Sequence, residues 1–500
     1  MGCCKISKYK ILFKNASYLF AAQLISMVLS VILSIFMARK MGSVDFGKYS
    51  FAIAFTAIFA AFTDLGYNTL LLRDVSKDKQ KVARYANNLI SIYAFSNLFI
   101  FFIIIITINI LSYPPDTQLI VSLFAISILW VSYSTLFKVI FRSFEQMKYE
   151  AFVNISINIF RSSLGLFLLF QGYGLIAIAL VYVFSGFLDF FLSYLICKKR
   201  FINPRFEIDV NFIKETLSSA LALCLLPFLG IILARTDTIM LSSIDGDSAV
   251  GLYNAAYNIV REFRFIPIII LNALFPTAAS IYETSKCDFH SYYAKAIRYL
   301  LALSIPMTIG LTLLSREIIF FAYGNEYIGS TSALAIVAFD VPIFCIFIAL
   351  GNALVCMGKE RLIAISVAFS AIFNIFLNLF LIPKYSINGA AIATNLSELL
   401  LTIMYLLFIQ KYLWRISIHK YVLKPITACI PMFLFIIISK YFLINLILII
   451  ITSIVIYGCV FYKIGGLDNK DKFKAHSIYH DAKIKIFAYY SKYFKIPDGG

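Results

Sequence analysis

Apolar runs of about 20 residues follow one another along nearly the whole chain, separated by short polar segments. A run of that length is what an α-helix needs to cross the hydrocarbon core of a bilayer. We count fourteen such runs, at residues 15–37, 47–67, 87–110, 117–137, 152–171, 174–196, 214–234, 249–276, 294–314, 331–356, 361–382, 388–410, 421–439 and 441–462. The pattern predicts an all-α integral membrane protein with about 14 transmembrane helices.

The two halves of the chain share short sequence matches in the same order. Gly47 and Tyr49 recur as Gly251 and Tyr253, an offset of 204 residues. A second set recurs at an offset of 212, where Tyr173, Leu175, Ala177 and Ala179 match Tyr385, Ile387, Gly389 and Ala391. These offsets indicate a duplicated unit of six helices. Because six is an even number of crossings, both copies begin on the same side of the membrane. We therefore expect them to be related by an axis along the membrane normal.

The repeat and the apolar runs divide the chain into five parts. These are an N-terminal tail (1–14), an N-terminal lobe of six spans (15–198), a C-terminal lobe of six spans (199–410), two further spans (411–463) and a C-terminal tail (464–500). The C-terminal tail alternates basic and aromatic residues. We expect it to form an amphipathic helix on the anionic lipids of the inner leaflet.

The composition supports a membrane protein and the distribution of charge orients it. Of the 500 residues, 61% are hydrophobic and only 14% are charged, whereas soluble proteins average about 25% charged. The net charge of +18 also suits a nucleic-acid-binding protein, but the Lys and Arg residues lie in short loops between apolar runs. Most of them lie on the side of the N-terminus. The positive-inside rule therefore predicts a multi-pass protein of the cytoplasmic membrane, with both termini in the cytoplasm and no nucleic-acid partner.

Several charged residues interrupt the apolar runs between residues 235 and 280. Arg235 and Asp237 directly follow one run, and Arg261, Glu262 and Arg264 lie within the next. An unpaired Arg in hydrocarbon costs from ~3 to above 10 kcal/mol, so these side chains must face protein or a water-filled cavity. One interpretation is an internal pair with Glu262. The other is a cationic site that lines a cavity, which we favour because two cations to one anion leave positive charge for an anionic ligand.

Three more charged residues lie inside predicted spans. Arg161, in the fifth span, is either another cavity cation or a structural Arg bonded to its polar neighbours. Asp340 and Glu398 are candidates for a proton or sodium relay, since binding an ion removes the cost of burying a carboxylate. The alternative is that each pairs with an Arg elsewhere in the bundle. Together with Asp237 and Glu262, they are our candidates for ion coupling.

The sequence gives no indication of an enzyme, a cofactor or a metal site. None of the nine cysteines forms a CxxC, and the four histidines are not arranged as ligands. Phosphate-loop, HExxH, GxSxG and dinucleotide-binding patterns are absent from the sequence, and we expect no catalytic residues. A duplicated bundle with charge at the interface of its halves is the architecture of an alternating-access transporter. A channel or a passive scaffold is the alternative.

Three stretches resemble a known family. They are RTDTIML…GLYNAAYNIV…IP…LFP from Arg235 onward, the run at 15–55 followed by DLG at 64–66, and LNLFLIPKYSINGAAIATNLSE at 377–398. Together they are similar to the polysaccharide-type flippases of the multidrug/oligosaccharidyl-lipid/polysaccharide exporter superfamily. The similarity covers residues 10–465.

The resemblance implies a fourteen-helix exporter that moves polyprenyl-diphosphate-linked oligosaccharides for surface polysaccharide or glycoprotein synthesis. It implies a basic central cavity. Arg235 and Asp237 match the family's signature there, and Arg161, Arg261 and Arg264 are assigned to the cavity by their chemistry alone. Expected partners are the lipid-linked oligosaccharide, membrane lipids, H⁺ or Na⁺, and glycan polymerases or glycosyltransferases. The alternatives are a multidrug cation antiporter or a peptidoglycan-precursor flippase of the same superfamily, and a membrane glycosyltransferase.

Overall fold

The computed structural model describes residues 2–413, 418–442 and 444–466, with side chains from Asn15 onward except at position 16. The described residues fold into sixteen α-helices and two single 3₁₀ turns. The first eight helices are α1 (Gly2–Ala60), α2 (Tyr67–Lys77), α3 (Val82–Ile110), α4 (Pro115–Ser143), α5 (Met147–Phe170), α6 (Leu175–Arg200), α7 (Val210–Asp245) and α8 (Asp247–Phe263). The others are α9 (Phe265–Thr284), α10 (Lys286–Leu313), α11 (Ser315–Tyr323), α12 (Ser330–Val337), α13 (Asp340–Cys356), α14 (Glu360–Tyr412), α15 (Ile418–Tyr441) and α16 (Leu446–Lys463). Most of the C-terminal tail predicted to be amphipathic lies outside the described residues.

Twelve helical segments are long and apolar enough to cross a membrane. Two of them contain a sharp reversal, at Gly42 (φ 78°, ψ 176°) in α1 and at Ser386 (φ 51°, ψ −130°) in α14. At 1.5 Å per residue, a straight helix of either length would exceed about 60 Å, twice the hydrocarbon thickness. Each therefore supplies two crossings. The resulting fourteen crossings confirm the predicted all-α membrane fold.

Two other crossings are interrupted near their middle. The eighth consists of α8 and α9, which meet at Arg264, and the tenth consists of α12 and α13, with α13 beginning at Asp340. Pro267 and Pro342 lie in the first turns of α9 and α13. A proline is tolerated there because the first-turn N–H groups have no intrahelical acceptor. The two interruptions leave a charged residue at each junction.

The helices form an N-terminal bundle (α1–α6) and a C-terminal bundle (α7–α14). They meet where α1 packs against α7 and α8, while α15 packs on α10 and α16 on α15. The largest buried cluster joins both bundles, because it contains Phe46 and Phe51 of α1 as well as Tyr253 and Val260 of α8. The lobe boundaries given above stay predictions.

The bundles close tightly at the end of the molecule that carries Gly42, hereafter the Gly42 side. A Cβ on Gly47 would lie 1.8 Å from the carbonyl oxygen of Asp247, and one on Gly251 would lie 2.0 Å from that of Ser43. Only glycine allows α1 and α8 to approach this closely. The N–H of Ser43 also donates to Glu326 Oε1 of the C-terminal bundle at 2.5 Å. These contacts seal the interface on this side.

At the opposite end, the segment between the bundles is fastened to the N-terminal bundle. The N–H groups of Arg205, Glu207 and Asp209 donate to side chains of α3 at 2.9, 3.0 and 2.6 Å. Asp209 also caps α7, since its Oδ1 accepts the N–H groups of residues 211 and 212 at 3.0 Å. The first turns of α7 thus belong to the N-terminal bundle, although its last turns pack on α14. Pro227 lies between them.

Candidate functional site

Two tyrosines and an arginine of the N-terminal bundle meet at its interface with the C-terminal bundle. The hydroxyls of Tyr49 (α1) and Tyr182 (α6) lie 2.6 Å apart. The guanidinium of Arg161 (α5) lies over the ring of Tyr182, 4.6 Å from its centroid, and its Nε donates to Ser185 Oγ at 3.0 Å. Ring stacking and one neutral acceptor leave most guanidinium donors of Arg161 available to a ligand.

Two arginines of the C-terminal bundle approach the same tyrosine. Arg261 and Arg161 both interact electrostatically with the Tyr49 hydroxyl. Arg235 interacts in the same way with Tyr49 and with Arg261. Three of the four cations expected in the cavity therefore lie within electrostatic range of Tyr49, contributed by α5, α7 and α8. We call Arg161, Arg235 and Arg261 the arginine cluster.

The charge of the arginine cluster is not balanced within the described part of the chain. Arg261 bonds its neighbour Glu262 at 3.3 Å, and their side chains are 44% and 25% exposed. Arg235 is half-buried and has no ion pair or hydrogen bond to any described residue. The described contacts of Arg161 are with neutral groups. Three cations with one carboxylate favour the binding of an anion with several oxygens.

A cavity of about 430 Å³ lies in the N-terminal bundle beside Arg161. Its wall combines the ring of Tyr182 with the polar side chains of Asn154, Asn158 and Ser127, among apolar residues of α1, α4 and α5, and it includes Asp189, which is paired with Lys138. Amide and hydroxyl groups beside an aromatic ring can bind a hydroxyl-bearing ligand through hydrogen bonds and ring contacts. The cavity therefore extends the arginine cluster with a less charged compartment.

Arg264 lies apart from the arginine cluster, inside the C-terminal bundle. Its Nη2 lies 2.5 Å from Asp340 Oδ2 and 2.8 Å from Glu398 Oε1, and its Nε donates to Asp340 Oδ2 at 2.8 Å. The three side chains are 12%, 0% and 8% exposed. The predicted cavity cation Arg264 and the predicted ion-coupling residues Asp340 and Glu398 thus form one buried group. Their roles in transport stay predictions.

Asp237 occupies a second buried polar site in the C-terminal bundle, and it does not pair with Arg235. Its carboxylate accepts hydrogen bonds from Thr394 Oγ1 at 2.5 Å, Asn378 Nδ2 at 2.6 Å and the Tyr253 hydroxyl at 3.2 Å. Among the described residues, no cation bonds this carboxylate. Asn378 Oδ1 is buried and has no described partner. The site therefore has oxygen atoms suited to a proton or a hard cation.

The sequence indicated the arginines and carboxylates, but not the tyrosines that organise them. Tyr49 and Tyr253 were recognisable only as members of the repeat. In the structure they occupy equivalent positions, since Tyr49 bonds Tyr182 and Tyr253 bonds Thr394. Tyr182 and Thr394 are separated by 212 residues, the second offset of the repeat. The repeat is therefore also a repeat of the polar contacts in the two bundles.

Comparison with known proteins identifies the family of the chain. The family profile described as "Polysaccharide biosynthesis protein" matches residues 12–282. The "Capsular polysaccharide biosynthesis protein CapF" of Staphylococcus aureus is 21% identical over 418 residues, covering 80% of this chain and 99% of that protein. The "Probable low-salt glycan biosynthesis flippase Agl15" of Haloferax volcanii is 24% identical over 166 residues, covering 33% of this chain and 35% of that one.

Among solved structures, the chain is similar to "Lipid II flippase MurJ, inward closed conformation". The TM-score is 0.73 at 15% identity, and the match covers 89% of this chain and 98% of that one. At this identity the likeness establishes the fold. The arrangement of residues at the site must be interpreted from this chain itself.

Proposed function

Since this chain belongs to the polysaccharide biosynthesis protein family, we propose that it is a flippase for an anionic, lipid-linked oligosaccharide, carried on polyprenyl diphosphate. The observation that carries the proposal is the arginine cluster. Three cations contributed by three helices of two bundles converge on Tyr49 with a single described carboxylate among them. Such a site suits a diphosphate, whose oxygens match the forked donors of arginine.

The cavity beside Arg161 suits the sugars next to the diphosphate. Its amide, hydroxyl and aromatic groups match the hydroxyls and apolar faces of a glycan. The polyprenyl tail would remain in the bilayer, because transferring it through a polar cavity would expose its apolar surface. The names of the relatives in capsule and glycan synthesis support a glycan as the cargo.

The contacts on the Gly42 side support alternating access. The positive-inside rule places that side outward and both termini in the cytoplasm of a cytoplasmic-membrane protein. The head group therefore enters the arginine cluster from the cytoplasm while the Gly42 side is closed. Rocking of the bundles then separates Gly47 from Gly251 and opens the cluster outward. Glycosyltransferases that build the substrate and polymerases that use it are the partners this reaction requires.

A cation gradient would drive the cycle through carboxylates of the C-terminal bundle. Asp237, Asp340 and Glu398 are buried there, and burying a carboxylate is costly unless it binds a cation or a proton. Glu262 instead accompanies Arg261 in the arginine cluster. It is placed to exchange partners when an anionic substrate arrives. We therefore assign H⁺ or Na⁺ coupling to the C-terminal bundle.

Two transporters of related kind and one enzyme are the competing functions. A multidrug cation antiporter would need an acidic cavity, which the arginine cluster disfavours. A peptidoglycan-precursor flippase would also bind a diphosphate, and it shares the fold. Glycosyltransferase genes beside the gene of this chain would favour the oligosaccharide. A membrane glycosyltransferase needs a carboxylate-bearing extramembrane loop larger than any between the predicted spans.

The deciding experiment measures flipping of a fluorescent polyprenyl-diphosphate oligosaccharide in proteoliposomes. The double variant Arg161→Gln/Arg261→Gln should flip the substrate at least tenfold more slowly, because it loses charged hydrogen bonds to the diphosphate of about 1.5–3 kcal/mol each. Arg73→Gln is the matched control, because Arg73 is exposed on α2 and pairs with Asp74. Normal flipping in the double variant would exclude these arginines as the binding site. Exchange of organic cations by the wild type, without glycan flipping, would replace the proposed function.

A further inference from the structure

We propose that Arg264, Asp340 and Glu398 form a proton-binding site in which the two carboxyl groups share one proton. The group is separate from the arginine cluster and lies inside the C-terminal bundle. Three different segments supply it: the junction of α8 and α9, the first residue of α13, and the middle of α14. The link between this proton and glycan transport rests on the proposed function, whereas the protonation itself does not.

The first support is the ratio of charges. One guanidinium bonds both carboxylates, through contacts of 2.5 and 2.8 Å from Nη2. With all three groups ionised, the site carries one net negative charge. Asp340 is 0% exposed and Glu398 8%. An uncompensated charge at such a position is expensive, so a neutral form of the site is strongly favoured.

The second support is a pair of unused oxygens. Asp340 Oδ1 and Glu398 Oε2 are both buried, and neither has a hydrogen-bond partner in the described part of the chain. The two carboxyl groups also lie side by side, since both bond the same nitrogen, Nη2 of Arg264. One proton between them supplies a donor where only acceptors are present. It also brings the net charge of the group to zero.

The other groups that face the site do not supply this missing charge. Tyr257 of α8 and Phe344 of α13 place their rings 5.5 and 4.8 Å from the guanidinium of Arg264. The Cys345 thiol lies close enough to Asp340 for an electrostatic interaction. Asp237 of α7 lies near Tyr257 and adds a further negative charge to the surroundings. Among the described residues, Arg264 is the only cation that bonds Asp340 or Glu398.

Two other buried carboxylates, Asp189 and Glu150, each have one cation, whereas Asp237 is bonded only by neutral donors among the described residues. Asp189 is balanced by Lys138 at 2.7 Å and accepts a hydrogen bond from Ser134 at 2.7 Å. Glu150 is balanced by Arg142, whose Nε and Nη2 each donate to one of its carboxylate oxygens. Each of these pairs is neutral without a proton. The group around Arg264 has two carboxylates to one cation, which is why we assign the proton there.

The position of the site connects it to the arginine cluster. Arg264 follows Arg261 by three residues. The junction of α8 and α9 therefore contributes Arg261 to the arginine cluster and Arg264 to the proton-binding site. Deprotonation draws Arg264 towards two full negative charges, and protonation weakens that attraction. The resulting change at the junction alters the position of Arg261. A proton taken up from the outer side and released to the cytoplasm would thereby accompany outward movement of the glycan.

Infrared spectroscopy of the full-length protein in lipid nanodiscs tests the protonation directly. We expect a carboxylic-acid C=O band near neutral pH that disappears at alkaline pH and shifts when aspartate or glutamate carries ¹³C. In an Asp237→Asn background, which removes any band from that separate buried carboxyl group, Asp340→Asn and Glu398→Gln should each abolish this band, while Glu150→Gln should leave it unchanged. A shift with ¹³C-labelled glutamate alone needs no variant and excludes Asp237 as the source, so this measurement stands even if a substitution prevents folding. Absence of the band in the wild type, or its persistence in both variants, would overturn the proposal.

A transport measurement then separates the proton site from the proposed function. In proteoliposomes with an imposed pH gradient, acid outside should accelerate glycan flipping by the wild type, but not by Asp340→Asn or Glu398→Gln. Glu150→Gln should respond like the wild type, because Glu150 is paired with Arg142 and does not line the cavity beside Arg161. A titrating band in a protein that moves no glycan would support the proton site and reject the flippase. Flipping that is equally accelerated in wild type and Asp340→Asn would reject the proton site alone.

Discussion

Gly47 of α1 and Gly251 of α8 lie against each other in a reciprocal contact. Gly47 faces the backbone carbonyl of Asp247, which lies four residues before Gly251. Gly251 in turn faces the backbone carbonyl of Ser43, which lies four residues before Gly47. The two glycines are also the matching residues of the sequence repeat. A reciprocal contact between matching residues is what the predicted symmetry of the two lobes would produce. Because the backbones touch, motion of one bundle against the other must break this contact.

Substituting either glycine should open the Gly42 side. In Gly47→Ala or Gly251→Ala, the new methyl group would overlap a backbone carbonyl at about 2 Å, which no side-chain rotation relieves. We expect faster labelling of a cysteine introduced at Ser43, which is buried in the closed state, by a membrane-impermeant maleimide. Gly230→Ala is the control, since nothing lies within 4 Å of a Cβ there. Equal labelling rates in all variants would show that this contact does not close the molecule.

A disulfide across the same interface should stop transport reversibly. Ser43 Oγ and Ser248 Oγ lie 3.2 Å apart, one in each bundle. In a background with the nine native cysteines replaced, oxidation of Ser43→Cys/Ser248→Cys should block flipping and reduction should restore it. Ser134→Cys/Ser193→Cys is the matched control, because these hydroxyls lie 3.0 Å apart within the N-terminal bundle. Full transport by the crosslinked Ser43/Ser248 variant would contradict alternation through this interface.

The sequence predicted the fold well because membrane helices are encoded locally. A run of apolar residues is sufficient to specify a crossing, since backbone groups in a bilayer must bond within their own helix. The fourteen runs accordingly match the crossings, including those hidden by the reversals at Gly42 and Ser386.

The grouping of the charges could not be predicted in the same way. Arg264 bonds residues 76 and 134 positions away in the chain, and only the packing of three helices decides this. The sequence left open which arginine Glu262 would pair with, and in the structure it bonds Arg261. The local pattern also could not reveal that Tyr49 would lie between arginines of both bundles.

The attachment of α7 to the N-terminal bundle should depend on pH through Asp209. Hydrogen bonds from the N–H of Phe212 and from Arg84 lower the pKa of this carboxyl, which lies before the membrane-spanning part of α7. Its stabilising effect is therefore present above the pKa of the unfolded chain and is lost as the pH falls through the lower, folded pKa. Hydrogen exchange at residues 211 and 212 should accelerate over that acidic range. Asp209→Ala should exchange rapidly at every pH, while Asp209→Asn, which retains a capping oxygen, should exchange slowly without the acid transition. An acid transition that persists in Asp209→Asn would assign it to another group.

Removing Arg264 should destabilise the protein far more than removing either of its carboxylates. Arg264→Gln leaves Asp340 and Glu398 buried side by side without a cation, and breaking a buried ion pair from one side costs about 3–5 kcal/mol. Asp340→Asn keeps one cation with one carboxylate, so its thermal unfolding in nanodiscs should differ little from that of the wild type. The triple variant Arg264→Gln/Asp340→Asn/Glu398→Gln removes all the charges and should recover most of the lost stability. Arg142→Gln serves as a comparison, because it strands the single carboxylate of Glu150. If Arg264→Gln unfolds at the wild-type temperature, the two carboxylates already carry their own protons and Arg264 does not hold the group together.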